Sequence, residues 1–336
     1  MAISDVKVTI DVQEPTRLLN FGNVVILSSK DGGHAYKEYY ELTALKEDFA
    51  EGTVEYGMAK AIFDQENAPE KVAVYCIDSA GSTTLADGLA EIYGKDFYFV
   101  VMADNAPAKV LAVAAKLDEL NNGKIIVTRV NNESDLAVYG ENAVKYENLV
   151  IFYHEVDGEY PDCALVGQLG SLPVGSITWK AKSLKNITAD EEMTKTKLIN
   201  IHNAGAIAYV VKAGDKVTSE GITHAGEYID VVHSKDYLIY NIQYNVQKTI
   251  NKSAKIPYTN EGISLIESAV VTVLQQAFTQ GIIASEDGVA EYATNFPGIE
   301  NTTESERADR RYDLGTFEFR IGGSIHNVAI KGLLTY

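Results

Sequence analysis

The sequence predicts an α/β chain: a largely parallel sheet in its first half, and a second half of long helices with a mixed set of strands. Three observations carry this expectation. From residue 71 short apolar runs alternate with helix-length segments, a spacing that requires crossover connections. Beyond about residue 180 two long helical periods take over. Polar–apolar alternation, the mark of a half-buried strand, recurs at both ends of the chain.

Taken in order, Val6, Val8, Ile10 and Val12 alternate with polar residues and read as a strand that Pro15 closes. Residues 23–28 form the next strand, with a polar glycine turn at 30–34, and helical spacing is favoured over 42–63. Then come a strand at 71–77, a helix at 83–93, a strand at 97–102, a helix at 106–120 and strands at 124–130 and 149–154. Pro161, Gly167, Gly170, Pro173, Gly175 and the single tryptophan, Trp179, break this rhythm, so a domain boundary is expected there. A helix at 190–202 and a strand at 207–211 follow. Ile239, Ile242, Val246 and Ile250 lie at spacings of three and four residues on a long helix, and another helix covers 262–278 until Gly281 stops it. Strands at 316–321 and 325–334 complete the pattern.

The chain has 336 residues, enough for one large domain or two modest ones. Its 29 basic and 47 acidic side chains give a net charge of −18, which disfavours non-specific binding to nucleic acid. No apolar run approaches the roughly 20 residues that cross a bilayer, so no membrane insertion is expected. The first residues lack the basic and apolar regions of a secretion signal. Cys76 and Cys163 each sit among apolar residues and read as reduced core residues of a cytosolic product. The glycosylation-type sites at Asn132, Asn186, Asn251 and Asn301 then carry no meaning. Tyrosine is over-represented, 20 against 10 phenylalanines, and suits half-wet subunit contacts.

Chemical motifs are sparse. The turn at 78–84 has one glycine, Gly81, where a dinucleotide fingerprint needs three, and it lacks the lysine of a phosphate loop. It reads as a helix cap by Ser82 or Thr83. None of the six histidines has zinc-protease spacing. His154, Glu155 and Asp157 read as ligands or a base with its orienter, or, as favoured here, a solvated strand end. Gly170-Ser171 and Gly175-Ser176 lack nucleophile-elbow spacing. Catalytic residues, metal ligands and cofactor sites are therefore expected to be absent. Arg307, Arg310 and Arg311 form the one basic cluster, either a helix end that offsets the dipole or a docking contact for an acidic partner surface. The terminal strands can pair within their own domain or be lent to a neighbour's open sheet edge.

The second half resembles a known family. Gly167-Gln-Leu-Gly-Ser-Leu-Pro-Val-Gly-Ser-Ile-Thr-Trp179-Lys, with Ile187 beyond it, resembles the segment that precedes the core of bacteriophage contractile tail sheath proteins. Leu198-Ile-Asn200 and Asn203-Ala-Gly205 are similar to the opening of that core, and Thr223-His-Ala-Gly226-Glu-Tyr-Ile-Asp230 occupies the place of its glycine turn. Arg310-Arg-Tyr, then Gly322-Gly-Ser-Ile-His326-Asn-Val-Ala-Ile330, resembles the ending of the short type found in Gram-positive myophages and phage-tail-like bacteriocins. The likeness covers about residues 160–336, and the order of the motifs carries it.

The resemblance implies an N-terminal arm strand at 1–20 that packs on a neighbour's inner domain, an outer α/β domain at 21–178, an inner core at 179–324 and a C-terminal arm strand at 325–336. It implies a non-enzymatic subunit, without cofactor, that polymerises as stacked six-fold rings around a tail tube and contracts to drive the tube through the cell envelope. The partners implied are further copies of the chain, the tube protein, and baseplate and terminator proteins, in a virion tail or phage-tail-like particle assembled in the host cytoplasm. Val6, Val8, Ile10 and Val12, with Val328, Ile330 and Leu333, would be the intersubunit strand residues; Arg307, Arg310 and Arg311 would touch the tube or a neighbour. The alternative is an α/β enzyme that binds a nucleotide or small molecule. A tube or baseplate component is a third reading, and the α/β first half argues against a tube.

Overall fold

The computed structural model describes residues 19–120 and 123–326. Its first part is β1 (Val24–Lys30), β2 (His34–Tyr39), α1 (Leu42–Asp48), α2 (Val54–Phe63), β3 (Val72–Asp78) and α3 (Leu85–Ile92). There follow β4 (Phe99–Met102), α4 (Pro107–Glu119), β5 (Ile125–Val130), α5 (Glu133–Glu141), β6 (Leu149–Tyr153) and α6 (Pro161–Leu169). The second part is α7 (Lys195–Asn203), β7 (Ala206–Lys212), β8 (Asp215–Thr218), α8 (Ile229–Lys252) and α9 (Asn260–Thr279). Short strands β9 (Ser285–Glu286), β10 (Val289–Ala290) and β11 (Tyr292–Asn295), helix α10 (Glu304–Ala308) and strand β12 (Thr316–Phe319) complete it.

The main sheet has eight strands in the order β2-β3-β1-β4-β5-β6-β7-β8. Its inner neighbours are parallel, while β2 and β8 close the two edges antiparallel. The central strands are apolar on both faces, as expected where helices cover both sides of a sheet. The two-residue period then sorts their side chains into two cores. Ile26, Val74, Val101, Val127 and Phe152 meet α2, α6, α8 and α9 on one face. Leu27, Ala73, Met102, Ile126 and Ile151 meet α3, α4 and α5 on the other. The sheet runs through the boundary expected near residue 178: β7 lies parallel to β6 in the register Phe152 to Ile207, and Trp179 joins the same core as Ile26 and Val273.

Three local expectations change. The cap of α3 is Thr84, not Ser82 or Thr83; it forms a reciprocal capping box with Asp87. Residues 161–169, expected to be a break, form α6, which is buried on nearly every side and so shows no amphipathic period. Pro161 stands at its first turn, where a missing N–H costs nothing. Finally, α9 is by length and composition apolar enough to cross a membrane, with mean hydropathy 1.2. It is a two-faced core helix: Ala269, Val270, Val273, Leu274 and Ala277 are buried, and the opposite face carries Ser264, Ser268, Thr272, Gln275 and Gln276.

Candidate assembly surface

Helices α8 and α9 pack against each other as an antiparallel hairpin and bury one stripe each, Val232, Leu238, Ile242 and Val246 facing Val270, Val273 and Leu274. The foot of α8 is fixed at the amino ends of the central strands. Tyr98 donates its hydroxyl proton to Asp236 Oδ2 at 2.7 Å, and Asn148 Nδ2 donates to the same oxygen at 3.3 Å and to the Lys124 carbonyl at 2.8 Å. His233 stacks on Tyr98 with ring centroids 4.8 Å apart. Burial raises the Asp236 pKa to about 7 and lowers that of His233 to about 3, which keeps the imidazole neutral. Lys124, whose ammonium donates to the Phe97 carbonyl, is lowered to about 7 by the same desolvation.

The described chain enters and leaves on α8. At entry, Asn20 N–H donates to Asp96 Oδ1 at 2.8 Å, and Asn23 Nδ2 to Asp96 Oδ2 at 2.9 Å. Lys71 pairs with Asp96 and Glu38, each at 2.9 Å. Phe21 is held among four rings: Tyr98 at 4.8 Å, Tyr237 at 5.2 Å, Tyr240 at 5.6 Å and His233 at 5.9 Å. At exit, the His326 ring meets Tyr228 edge-on at 4.6 Å, and its Nε2 lies 2.7 Å from Thr178 Oγ1. A polar cavity of about 250 Å³ opens beside it, lined by Gly175, Thr178, Lys182, Asp230, Ser234 and Ile282. Val6, Val8, Ile10, Val12, Val328, Ile330 and Leu333 lie outside the described residues.

Beyond the hairpin stands a small sheet. β11 and β12 pair antiparallel from Tyr292–Phe319 to Asn295–Thr316. Among the described residues neither strand has a further strand partner along that ladder. Its inner face is aromatic, Phe317 and Phe319 lying 6.3 Å apart, and it is tied to α9 through Tyr292 Oη to Gln275 and Thr294 Oγ1 to Glu267.

The arginine cluster sits at the end of α10, a short helix that Thr303 and Glu306 cap reciprocally. Arg307 turns inward and donates to the Thr302 carbonyl at 2.6 Å. Arg310 is exposed, with a left-handed backbone, φ 56°, and Arg311 pairs with Asp313 at 2.6 Å. The cluster therefore divides into one locally bonded arginine and two outward ones.

Other sequence candidates find structural partners. His154 is buried and lies 2.9 Å from Glu159, whereas Asp157 is exposed beside Asn131. Cys76 and Cys163 are free and buried. Of the tyrosines, Tyr39, Tyr98, Tyr139, Tyr153 and Tyr209 belong to the core rather than to an outer contact. Four of their hydroxyls have internal acceptors: Asp48, Asp236, Glu155 and backbone carbonyls. Sequence reasoning missed the Asp236 site entirely; an acid at a helical core position, three residues after His233, was its only signal.

Solved chains from contractile particles share this fold. A chain in the cryo-EM structure of the anti-feeding prophage baseplate, six-fold symmetrised, matches with TM-score 0.71 at 12% identity, over 100% of this chain and 99% of that one. A chain of the anti-feeding prophage helical sheath in its contracted state matches with TM-score 0.65 at 12% identity, with the same coverage. The crystal structure of a sheath tail protein from Desulfitobacterium hafniense matches with TM-score 0.59 at 12% identity, over 86% of this chain and 93% of that one. No curated protein matches by sequence. Residues 229–332 match the family model of the E217 tail sheath protein gp31-like C-terminal domain. That stretch begins at α8 and takes in the hairpin and the outlying sheet, while the chain as a whole shares its fold with chains of contractile particles.

Proposed function

We propose that the chain is the structural subunit of a contractile sheath, without catalytic function, that stacks as six-fold rings around a tube and contracts to drive the tube through a cell envelope. The hairpin and outlying sheet of residues 229–324 face the tube, and the layer of α3, α4 and α5 faces outward. Residues 1–20 and 325–336 are strand arms exchanged between subunits. The observation that carries this reading is the two-stranded β11–β12 sheet. A lone antiparallel pair is marginal, and its free backbone groups favour added strands. Main-chain bonds in a lent strand hold subunits together while side-chain contacts between bodies break and re-form.

Arg307, Arg310 and Arg311 are the proposed contact to the tube or an adjacent subunit, a reading that the exposure of Arg310 and Arg311 supports. Baseplate and terminator proteins would bind the ends of the polymer, in a phage tail or tail-like particle assembled in the host cytoplasm. Deleting residues 1–13 should leave a folded monomer that forms no tubes in negative-stain micrographs. Striated tubes from that truncation would overturn the strand-exchange reading.

A further inference from the structure

The cavity beside the exit seat is lined by polar groups that lack partners. Four pieces of the chain close on it: the loop that carries Gly175, Thr178 and Lys182, the first turns of α8 through Asp230 and Ser234, the turn after α9 at Ile282, and residues 321–324. Its walls are fixed by close backbone packing. The Gly322 N–H donates to the Ile282 carbonyl at 2.9 Å. Gly175, with φ 83°, lies so near that an added Cβ would stand 2.4 Å from the Ile282 side chain. The space, about 250 Å³, is room for a small polar molecule.

The lining offers both signs of charge. Asp230 Oδ1 is buried and has no hydrogen-bond partner among the described residues. Burial pushes its carboxyl pKa up, and its own backbone N–H and His326 offset only part of that. Ser234 is 2% exposed, and neither its hydroxyl nor that of Ser324 is hydrogen-bonded among the described residues. Lys182 lines the same cavity, half-buried, and its ammonium makes no ion pair with Asp230 or any other acid among them. His326 Nδ1, beside the cavity, is likewise buried and unpartnered.

A buried acceptor and a free ammonium that share one cavity without pairing each lack the opposite charge. An anion would satisfy Lys182 and be repelled by Asp230, and a cation would do the reverse. A molecule that carries both charges satisfies both groups, and its net neutrality matches that of the pair. We propose that this cavity binds a small zwitterion of the α-amino acid class, its ammonium donating to Asp230 Oδ1 and its carboxylate accepting from Lys182 and from the Ser234 and Ser324 hydroxyls. Bound there, it ties the loop and the start of α8 to the exit segment, so occupancy sets how firmly residues 321–326 are held.

The test is amide hydrogen exchange on the full chain, with glycine and L-serine as probes and sodium acetate and methylammonium chloride as single-charge controls at matched ionic strength. With a Kd of about 1 mM, about 5 mM glycine should slow exchange in residues 321–326 about sixfold by mass action. Neither control should do so. D230N and K182Q should each lose the slowing, with circular dichroism to verify folding; Lys182 stands on a loop, so K182Q decides the matter should D230N not fold. Exchange that glycine and L-serine leave unchanged overturns the proposal, because the cavity then holds only water. Equal slowing by acetate or by methylammonium overturns it in favour of a single-charge site. Slowing by glycine that persists in the variants overturns it too, because glycine then acts elsewhere on the chain.

Discussion

Asp236, Lys124 and His233 show what single buried groups do here. Asp236 titrates near 7 in the folded chain against about 4 when unfolded. Between those values the folded state holds a proton that the unfolded state has released, so stability falls as pH rises. Lys124 runs the other way: near 7 when folded and about 10.4 unfolded, so between those values stability rises with pH. His233, near 3 when folded and about 6.5 unfolded, gains stability as pH rises through the range in which Asp236 loses it, so the two largely cancel below about pH 6.5. Asp236→Asn keeps an acceptor for Tyr98 and removes the charge. From pH 5 to pH 7 the change in unfolding free energy should therefore be on the order of 2 kcal/mol less favourable for the wild type than for the variant; equal changes in denaturant titrations would remove Asp236 from the account. Gly205 is a second such position. Its φ is 74° and an added Cβ would stand 2.5 Å from the His224 carbonyl oxygen, so Gly205→Ala should lower the melting temperature, by an amount equivalent to about 2 kcal/mol. The buried cysteines were legible from their apolar neighbours, but Asp236 was not. Its partners Tyr98 and Asn148 are far from it in the chain, and no periodicity records such a meeting.

At the scale of elements, legibility follows burial pattern. The strands β1, β3, β4, β5 and β6 stand out as short apolar runs because both of their faces are covered. Helices α8 and α9 stand out because each buries one stripe. α6 was invisible because burial on all sides erases the period that marks a helix, and Gly167 within it lets the helix approach the Ile62 backbone closely. α5 buries only Leu136 and Tyr139, too few to set a period. Caps are legible only to within a residue or two, as Thr84 shows. Thr84→Ala removes the hydroxyl half of the α3 capping box, leaving the residue-84 N–H on Asp87, and should cost about 1 kcal/mol, measured by urea unfolding; an unchanged midpoint would mean that this hydroxyl does not hold α3. Val273→Ala leaves a cavity between α9 and the sheet side of the hairpin and should cost about 2 kcal/mol by the same measurement.

At the scale of the whole molecule, the sheet joins what the sequence divides. The composition changes near residue 178, yet β7 pairs with β6 across that change, because hydrogen bonding between strands leaves no trace in composition. Net charge behaves in the opposite manner: −18 is plain in the sequence before any fold is known. Self-repulsion at this charge predicts that the form lacking residues 1–13, which does not polymerise on the reading above, melts several degrees higher when salt is raised to about 0.3 M. A melting temperature that does not move would mean that local ion pairs cancel the repulsion.

The two chain seats on α8 have a consequence for how tension would travel. Phe21 is seated against Tyr237 and Tyr240, and His326 against Tyr228, about 12 residues or roughly 18 Å of helix apart. A pull applied between the two seats is shared between the first turns of α8, which Asp236 anchors, and the main sheet, because Phe21 stands three residues before β1 and packs on Tyr98. β1 is hydrogen-bonded along both edges, to β3 and β4, so tension entering at Phe21 would load two parallel ladders at once, in shear rather than by peeling an edge.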